Sequence, residues 1–311
     1  MTEAKYNNYS QVIGQITSLA LKDIGDNKEG LGKMTVRANG NLINVDFWNP
    51  RKATTNHVSR LFSRLKEGQT VRVGGEMTEN EYEDNIYRNL RAYISAQDGI
   101  KPNNFQVYRE DEEVEEKAVL MFEGDILKMD MSYDNDGKPT LTSKVATFNR
   151  YNPETKKEDL SVARVIANTI KNLSDYVKDN EGKMPHVDTG QLDALFERIK
   201  NDPSKANALT VLNEFLALGY DTNLFNINLL TLNAHGEMAE KCVNEFDAGD
   251  NVSLGIGVYN KAKTDEYGFT DGSVSELRIQ KIRSVNEKAD GVVANEDSLG
   301  DVDEEVADLD W

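Results

Sequence analysis

Residues 33–48 read KMTVRANGNLINVDFW. Apolar and polar residues alternate on both sides of Asn39-Gly40: Met34, Val36 and Ala38 precede the pair, and Ile43, Val45 and Phe47 follow it. A period of two is the pattern of a half-buried strand, and Asn-Gly between two such runs is hairpin turn chemistry. Working outward, residues 12–21 alternate loosely and lead into a Gly-rich loop (Gly25, Gly30, Gly32). Beyond the hairpin, residues 54–66 place Val58, Leu61, Phe62 and Leu65 at helical spacing, with Gly68 as the stop. Residues 69–77 and 86–96 supply two more strands. Three strands, a helix and two strands in about 100 residues is the order of an OB-fold, a five-stranded Greek-key barrel.

The pattern then repeats. Phe122-Glu123-Gly124-Asp125-Ile126-Leu127 echoes Val12-Ile13-Gly14-Gln15-Ile16-Thr17, and residues 144–148 read as a second strand. Residues 225–229 (FNINL) match 43–47 (INVDF), Gly249 matches Gly68, and residues 251–254 match 70–73. Residues 275–279 close the set. Between the second and third strands lie three runs at helical spacing, around residues 160–177, 192–199 and 209–216, punctuated by Pro203 and Gly219. The expectation is a mainly β protein with a helical insertion, built of two OB-fold barrels in tandem. Barrel one takes residues 1–109, an acidic linker 110–116, barrel two 117–285 with its insertion at about 155–221, and a disordered acidic tail 286–311. The insertion is expected to cap the barrel or form a subunit contact, with a direct binding role as the alternative.

The formal net charge is −18, but it is unevenly spread. Residues 1–109 carry 15 Lys and Arg against 12 acids, a net of +3, while residues 286–311 carry 1 Lys against 10 acids, a net of −9. The first third is therefore compatible with a polyanionic partner despite the total. No apolar run is long enough to span a bilayer, and the N-terminal segment lacks a charged-then-apolar signal. With one cysteine, Cys242, the reading is a cytoplasmic protein with no disulfide and no membrane partner.

The order Ile43-Asn44-Val45-Asp46-Phe47-Trp48, a short helix, Leu65-Lys66-Glu67-Gly68 and Val71-Arg72-Val73 resembles the bacterial single-stranded DNA-binding protein family over residues 10–98. The loop after the first strand is unusual for that family, and the chain runs far beyond one barrel. That departure suggests a phage or other mobile element as the source, with the host cytoplasm as location. The resemblance implies a sequence-independent protein that coats single-stranded DNA in replication, recombination and repair. It also leaves room for a homo-oligomer.

The residues carry the same chemistry on their own. Holding single strands regardless of sequence takes flat rings for bases and cations for phosphates. With Ile43, Val45 and Phe47 inward, Trp48 points outward, with Arg51 and Lys52 beyond it. By the same alternation Arg37, Arg72, Arg91 and Tyr93 face out, and Tyr82, Tyr87 and Arg88 lie in or beside the last loop. The bland alternative is that Trp48 covers a barrel end. In the second barrel Leu230-Thr231 stand at the position matched to Trp48, so the candidate surface there is Tyr259, Lys261, Lys263, Tyr267 and Phe269. Phe148, Arg150 and Tyr151 are weaker candidates.

The tip Asp308-Leu309-Asp310-Trp311 sets an aromatic and a leucine in acid, where they can add nothing to a core. Acid alone reads as a solubility device, whereas an aromatic tip fits a basic-rimmed pocket on a partner. In the family it resembles, such tails dock polymerases, helicases, primases and recombinases. Enzymatic readings find no support: His57, His186, His235 and Cys242 have no metal-ligand spacing. Asp134-Asn135-Asp136-Gly137 has Val145 rather than Glu at the twelfth position of a calcium loop, so a turn is expected. No cofactor is implied. The competing function is an OB-fold protein–protein interaction module that binds no DNA.

Overall fold

The computed structural model describes residues 8–24, 29–50, 53–82, 85–95, 97, 99–152, 154–158, 160–180, 187–220, 227–264 and 270–285. The protein is mainly β. Strands β1 (Ser10–Ile24), β2 (Glu29–Ala38) and β3 (Asn41–Trp48) form the expected meander. Asn39 and Gly40 both have positive φ, 51° and 78°, as the centre of a type I′ turn requires. Helix α1 (His57–Phe62) is shorter than its periodicity suggested, because the Asn56 side chain caps it by accepting the Ser59 N–H. Strands β4 (Thr70–Tyr82) and β5 (Asn85–Ala92) follow, and β6 (Phe105–Val107), which alternation did not reveal, adds to the edge of β4.

Pairing closes on itself. β1 pairs with β2, β2 with β3, β3 with β5 in parallel, β5 with β4, and β4 with β1 again. The side chains turned inward (Val12, Met34, Val36, Val45, Phe47, Val71, Val73, Leu90) are buried. Phe62 packs edge-on against Phe47 at 5.3 Å. Gly32 makes room for it, since a Cβ there would lie 2.3 Å from the Phe62 ring.

The second half repeats the cycle. Strands β7 (Lys117–Tyr133) and β8 (Pro139–Phe148) are followed by a small hairpin, β9 (Tyr151–Asn152) and β10 (Lys157–Glu158). Then come helices α2 (Val162–Asp179), α3 (Thr189–Asn201) and α4 (Lys205–Ala217). Strand β11 (Ile227–His235), helix α5 (Glu237–Glu245) and strands β12 (Asn251–Thr264) and β13 (Thr270–Ser284) complete it. β7 pairs with β8 and β12, β8 with β11, β11 with β13 in parallel, and β13 with β12. The helices sit between the second and third strands and pack a separate core on Leu127, Ala146, Phe148 and Ile227. Lys205 ties them down by an ion pair of 2.6 Å to Asp125, whose side chain is fully buried. Asp134 accepts the N–H groups of Asp136 and Lys138, so residues 134–137 form a hairpin turn.

Register makes the repeat exact enough to transfer positions. The Gly68 N–H donates to the Ile16 carbonyl (2.9 Å) and the Gly249 N–H to that of Ile126 (2.7 Å), with φ of +90° and +99°. Strand β1 is bulged between Ile16 and Ser18, and β7 between Ile126 and Lys128. On β3, Ile43 faces Val36; its counterpart faces Val145 and is Leu230, not Phe225. The sequence match of the third strand was therefore five residues out. Eight residues (49–56) separate β3 from α1, but Gly236 alone separates β11 from α5. Equal distance to the glycine was the wrong ruler, and the position of Trp48 belongs to His235.

The halves are not separate units with separate interiors. β1 pairs antiparallel with β7, joining both cycles in one 11-stranded sheet, and one apolar cluster runs through both. In that junction Ser10 faces Leu120, its own counterpart in the repeat. Contacts between equivalent positions lie on a two-fold axis. Within a single chain, the halves are joined as two subunits of an isologous dimer would be. The acidic run is mostly exposed, and at its end the Glu116 carboxylate accepts the Asn39 N–H at 2.8 Å.

Candidate nucleic-acid interface

The outer face of the first cycle is organised by register. Lys33 on β2 lies beside Asp46 on β3, Asp46 beside Arg91 on β5, and Arg91 beside Glu76 on β4. Charge thus alternates across four strands. Burial raises the Asp46 carboxyl above the usual range against the pull of Lys33, Arg91 and the Asn89 side chain, which donates to it at 2.9 Å. Burial also raises Glu76, opposed by Arg91.

Rings flank this row. Trp48 ends β3 and is 43% exposed, outward as expected. Past the end of β5, Tyr93 stacks on Tyr9, with centroids 6.5 Å apart and planes 20° from parallel. Tyr9 lies flat because Gly74 has no side chain; a Cβ there would come within 2.8 Å of its hydroxyl. The Tyr93 hydroxyl donates to the Asn8 carbonyl, and burial, then Glu76 and Tyr9, push its pKa up to about 12. Tyr9 went unnoticed in the sequence because nothing local marks it. Its place follows from Gly74, more than sixty residues later.

Other expected residues are placed differently. Arg37 is exposed and donates to Gln15 at 2.6 Å, farther along β2. Arg72 lies on a different side, between Ile13 of β1 and Gln106 of β6, and donates to the Pro102 carbonyl. Arg88 is turned toward the second half. Its Nε lies 2.8 Å from Glu79, both side chains being 10% exposed or less, and its Nη1 donates to the Ser275 carbonyl at 2.5 Å. Ser275 is the counterpart of Arg88, so this contact also lies on the two-fold. Tyr87 is 49% exposed. Arg51, Lys52 and the Tyr82 side chain lie outside the described residues.

In the second half, Arg278 occupies the position of Arg91. Its guanidinium lies over the Tyr259 ring at 4.3 Å and pairs with Glu276 at 2.9 Å, while Glu276 also meets His235 at 3.0 Å. Tyr259 is therefore part of a built cluster, which alternation had not joined to His235 or Arg278. The side chains of Lys261 and Lys263, and all of Tyr267, Phe269, Asp308, Leu309, Asp310 and Trp311, lie outside the described residues. Phe148 is a core residue, and the Arg150 Nε donates to the Leu160 carbonyl at 2.5 Å. The Tyr151 side chain lies outside the described residues. Among the described residues no helix is long and apolar enough to cross a membrane, and no His/Cys/Asp/Glu group is placed to hold a metal.

No family model and no curated protein matches the chain. Among solved structures it is similar to the single-stranded DNA-binding protein of Thermus aquaticus, at 11% identity over 90% of this chain and 94% of that one, with a TM-score of 0.47. It is also similar to the second single-stranded DNA-binding protein of Mycobacterium smegmatis, at 22% identity over 35% of this chain and 99% of that one, TM-score 0.25. A replication protein A heterotrimer bound to single-stranded DNA matches at 8% identity over 93% and 96%, TM-score 0.20.

Proposed function

We propose that the chain is a sequence-independent single-stranded DNA-binding protein built of two OB-fold barrels, one per strand cycle. The observation that carries this is the outward Trp48, two residues along β3 from the Asp46 that Lys33 and Arg91 flank, with the Tyr9–Tyr93 stack beyond the end of β5. Bases stack on the rings at ~1–3 kcal/mol each, and phosphates meet the cations. The Tyr259–Arg278 cluster is the corresponding surface of the second barrel. A mixed row of charges fits a ligand that is gripped by its bases as much as by its backbone. The protein would coat strands exposed in replication, recombination and repair, and residues 286–311, with Leu309 and Trp311, would recruit the proteins that act there.

A second reading keeps the barrels and drops the DNA. The carboxylates of Asp46 and Glu76 beside both cations suit a protein–protein interaction module. Titrating Trp48 fluorescence with a single-stranded oligonucleotide, in a W311F background, separates the two. Salt-sensitive quenching, weaker with duplex and RNA, supports DNA binding, as does a loss of about 5- to 150-fold in affinity for W48A, measured by anisotropy of a labelled oligonucleotide because that variant keeps no tryptophan; the range is ~1–3 kcal/mol at tenfold per 1.4. No response up to high micromolar oligonucleotide removes the DNA reading.

A further inference from the structure

Strand β7 continues past its barrel. Residues 128–133 pair with β8 alone among the described residues, so their other edge is open. Lys128, Asp130 and the bulge before Lys128 guard its start, but the stretch has no proline, and farther along Met131 and Tyr133 are 38% and 70% exposed. The hairpin fixes which groups face outward. The Asp134 N–H bonds to the Lys138 carbonyl across the turn. By alternation Asp130 and Ser132 also direct their backbone groups to β8, while Met129, Met131 and Tyr133 direct theirs to the open side.

We infer that this edge pairs with the same edge of a second copy, antiparallel and centred on Met131. In that register Met131 faces Met131 and Met129 faces Tyr133, and each of these pairs exchanges both backbone bonds. Lys128 of one copy then meets Asp134 of the other, twice by symmetry. Lys128 benefits, because its cross-strand neighbour on β8 is Lys144 and its ion pair with Asp130 is exposed. Shifting the centre by one residue either way sets Asp130 against Asp130 or against Asp134, so charge selects the register. The chain already uses this mode internally, where Ser10 of β1 faces its counterpart Leu120 of β7. Being isologous, the contact closes at two copies and builds no fibre. A short strand edge is a small interface, so it acts where copies are held close together, as on one ligand.

The test needs no DNA and stands apart from the strand-binding reading. M131C places two cysteines at the axis, at the Cα separation of about 5.5 Å that a disulfide accepts. S132C, also exposed but facing Asp130 of the other copy, is the control, and native Cys242 is buried. On mild oxidation of the full chain, M131C forms covalent dimer at least about tenfold faster than S132C, as an effective-concentration advantage requires. K128E in the M131C background, which sets acid against Asp134, slows that crosslinking. Equal rates for M131C and S132C, or no crosslink with M131C, overturn the pairing while leaving oligonucleotide binding untouched. The inference also fails if Y133A weakens oligonucleotide binding as much as W48A does, since the edge then serves the nucleic acid.

Discussion

Arg88 offers the sharpest test of how the two halves are held together. Its guanidinium donates to Glu79 at 2.8 Å and to the Ser275 carbonyl at 2.5 Å, and Glu79 also accepts the Thr231 N–H at 3.2 Å. Glu79 and Arg88 come from the first half, Ser275 and Thr231 from the second. Replacing Arg88 by Met removes two charge-assisted hydrogen bonds, about 1.5–3 kcal/mol each, and leaves a carboxylate with 10% exposure without its cation. Breaking a buried pair on one side costs ~3–5 kcal/mol. The methionine stem recovers roughly 1 kcal/mol of apolar contact. R88M should therefore lose about 3 kcal/mol. E79Q/R88M removes both charges while its amide oxygen still accepts from Thr231, so it should return to within about 1 kcal/mol of the parent. Urea unfolding, followed by both fluorescence and circular dichroism, measures each loss at constant slope. A loss under about 0.5 kcal/mol for R88M, or a double variant no better than the single, would show that this pair is not what locks the halves.

Three further outcomes follow from the same geometry. Asp46 and Glu76 have raised pKa values in the folded protein, so their contribution to stability is full below their unfolded pKa and is lost as pH rises through the folded one. Lowering pH from 7 toward the ordinary carboxylate range of about 4 at fixed ionic strength should thus stabilise the parent and tighten oligonucleotide binding relative to D46N/E76Q, whose response should be flatter; parallel responses across that window would clear both carboxylates. G68A and G249A each force a side chain into positive φ with nothing within 4 Å of the new Cβ, so strain alone should cost ~1–2 kcal/mol apiece, equal and additive by denaturation. K205M leaves Asp125 with the Asn251 amide at 2.9 Å, and because Lys205 is 35% exposed its loss should be nearer ~1–3 kcal/mol, seen as faster hydrogen exchange in α4.

What could be read in advance divides by distance along the chain. The hairpin at Asn39-Gly40, the stops at Gly68 and Gly249, the echo of residues 12–17 in 122–127 and the place of the insertion are all local, set by turn chemistry and alternation. Trp48 was legible for the same reason, as one residue in a strand whose inward set is unmistakable. Arg88 was not. Alternation shows that it leaves the interior, but what it meets is a carbonyl 187 residues away. Arg72 is a similar case, because the outer surface of a closed strand cycle has several sides and a period of two cannot say which one it joins. The third strand of the second half slipped because loop length, unlike register, is free to vary between copies.

The two-fold union explains why the halves have diverged as they have. Positions on the axis meet each other, so they cannot both keep a long cation: Arg88 reaches across and its counterpart is the small Ser275. Away from the axis each half is free to differ, and the differences are informative. Arg91 and Arg278 keep the guanidinium, yet the acids around it have moved. In the first half they are Asp46 and Glu76, one strand to either side; in the second those places hold Asn233 and Gly257, and the acid is Glu276 on the same strand. The ring has moved too, from the Trp48 position, now His235, to Tyr259 beneath the arginine. The arginine keeps its place, while a neutralising acid and a ring recur at other positions. The proposed strand binding would draw on the flat faces of cation and ring more than on net charge. Such a surface can hold a polyanion by its bases even on a protein with a net charge of −18.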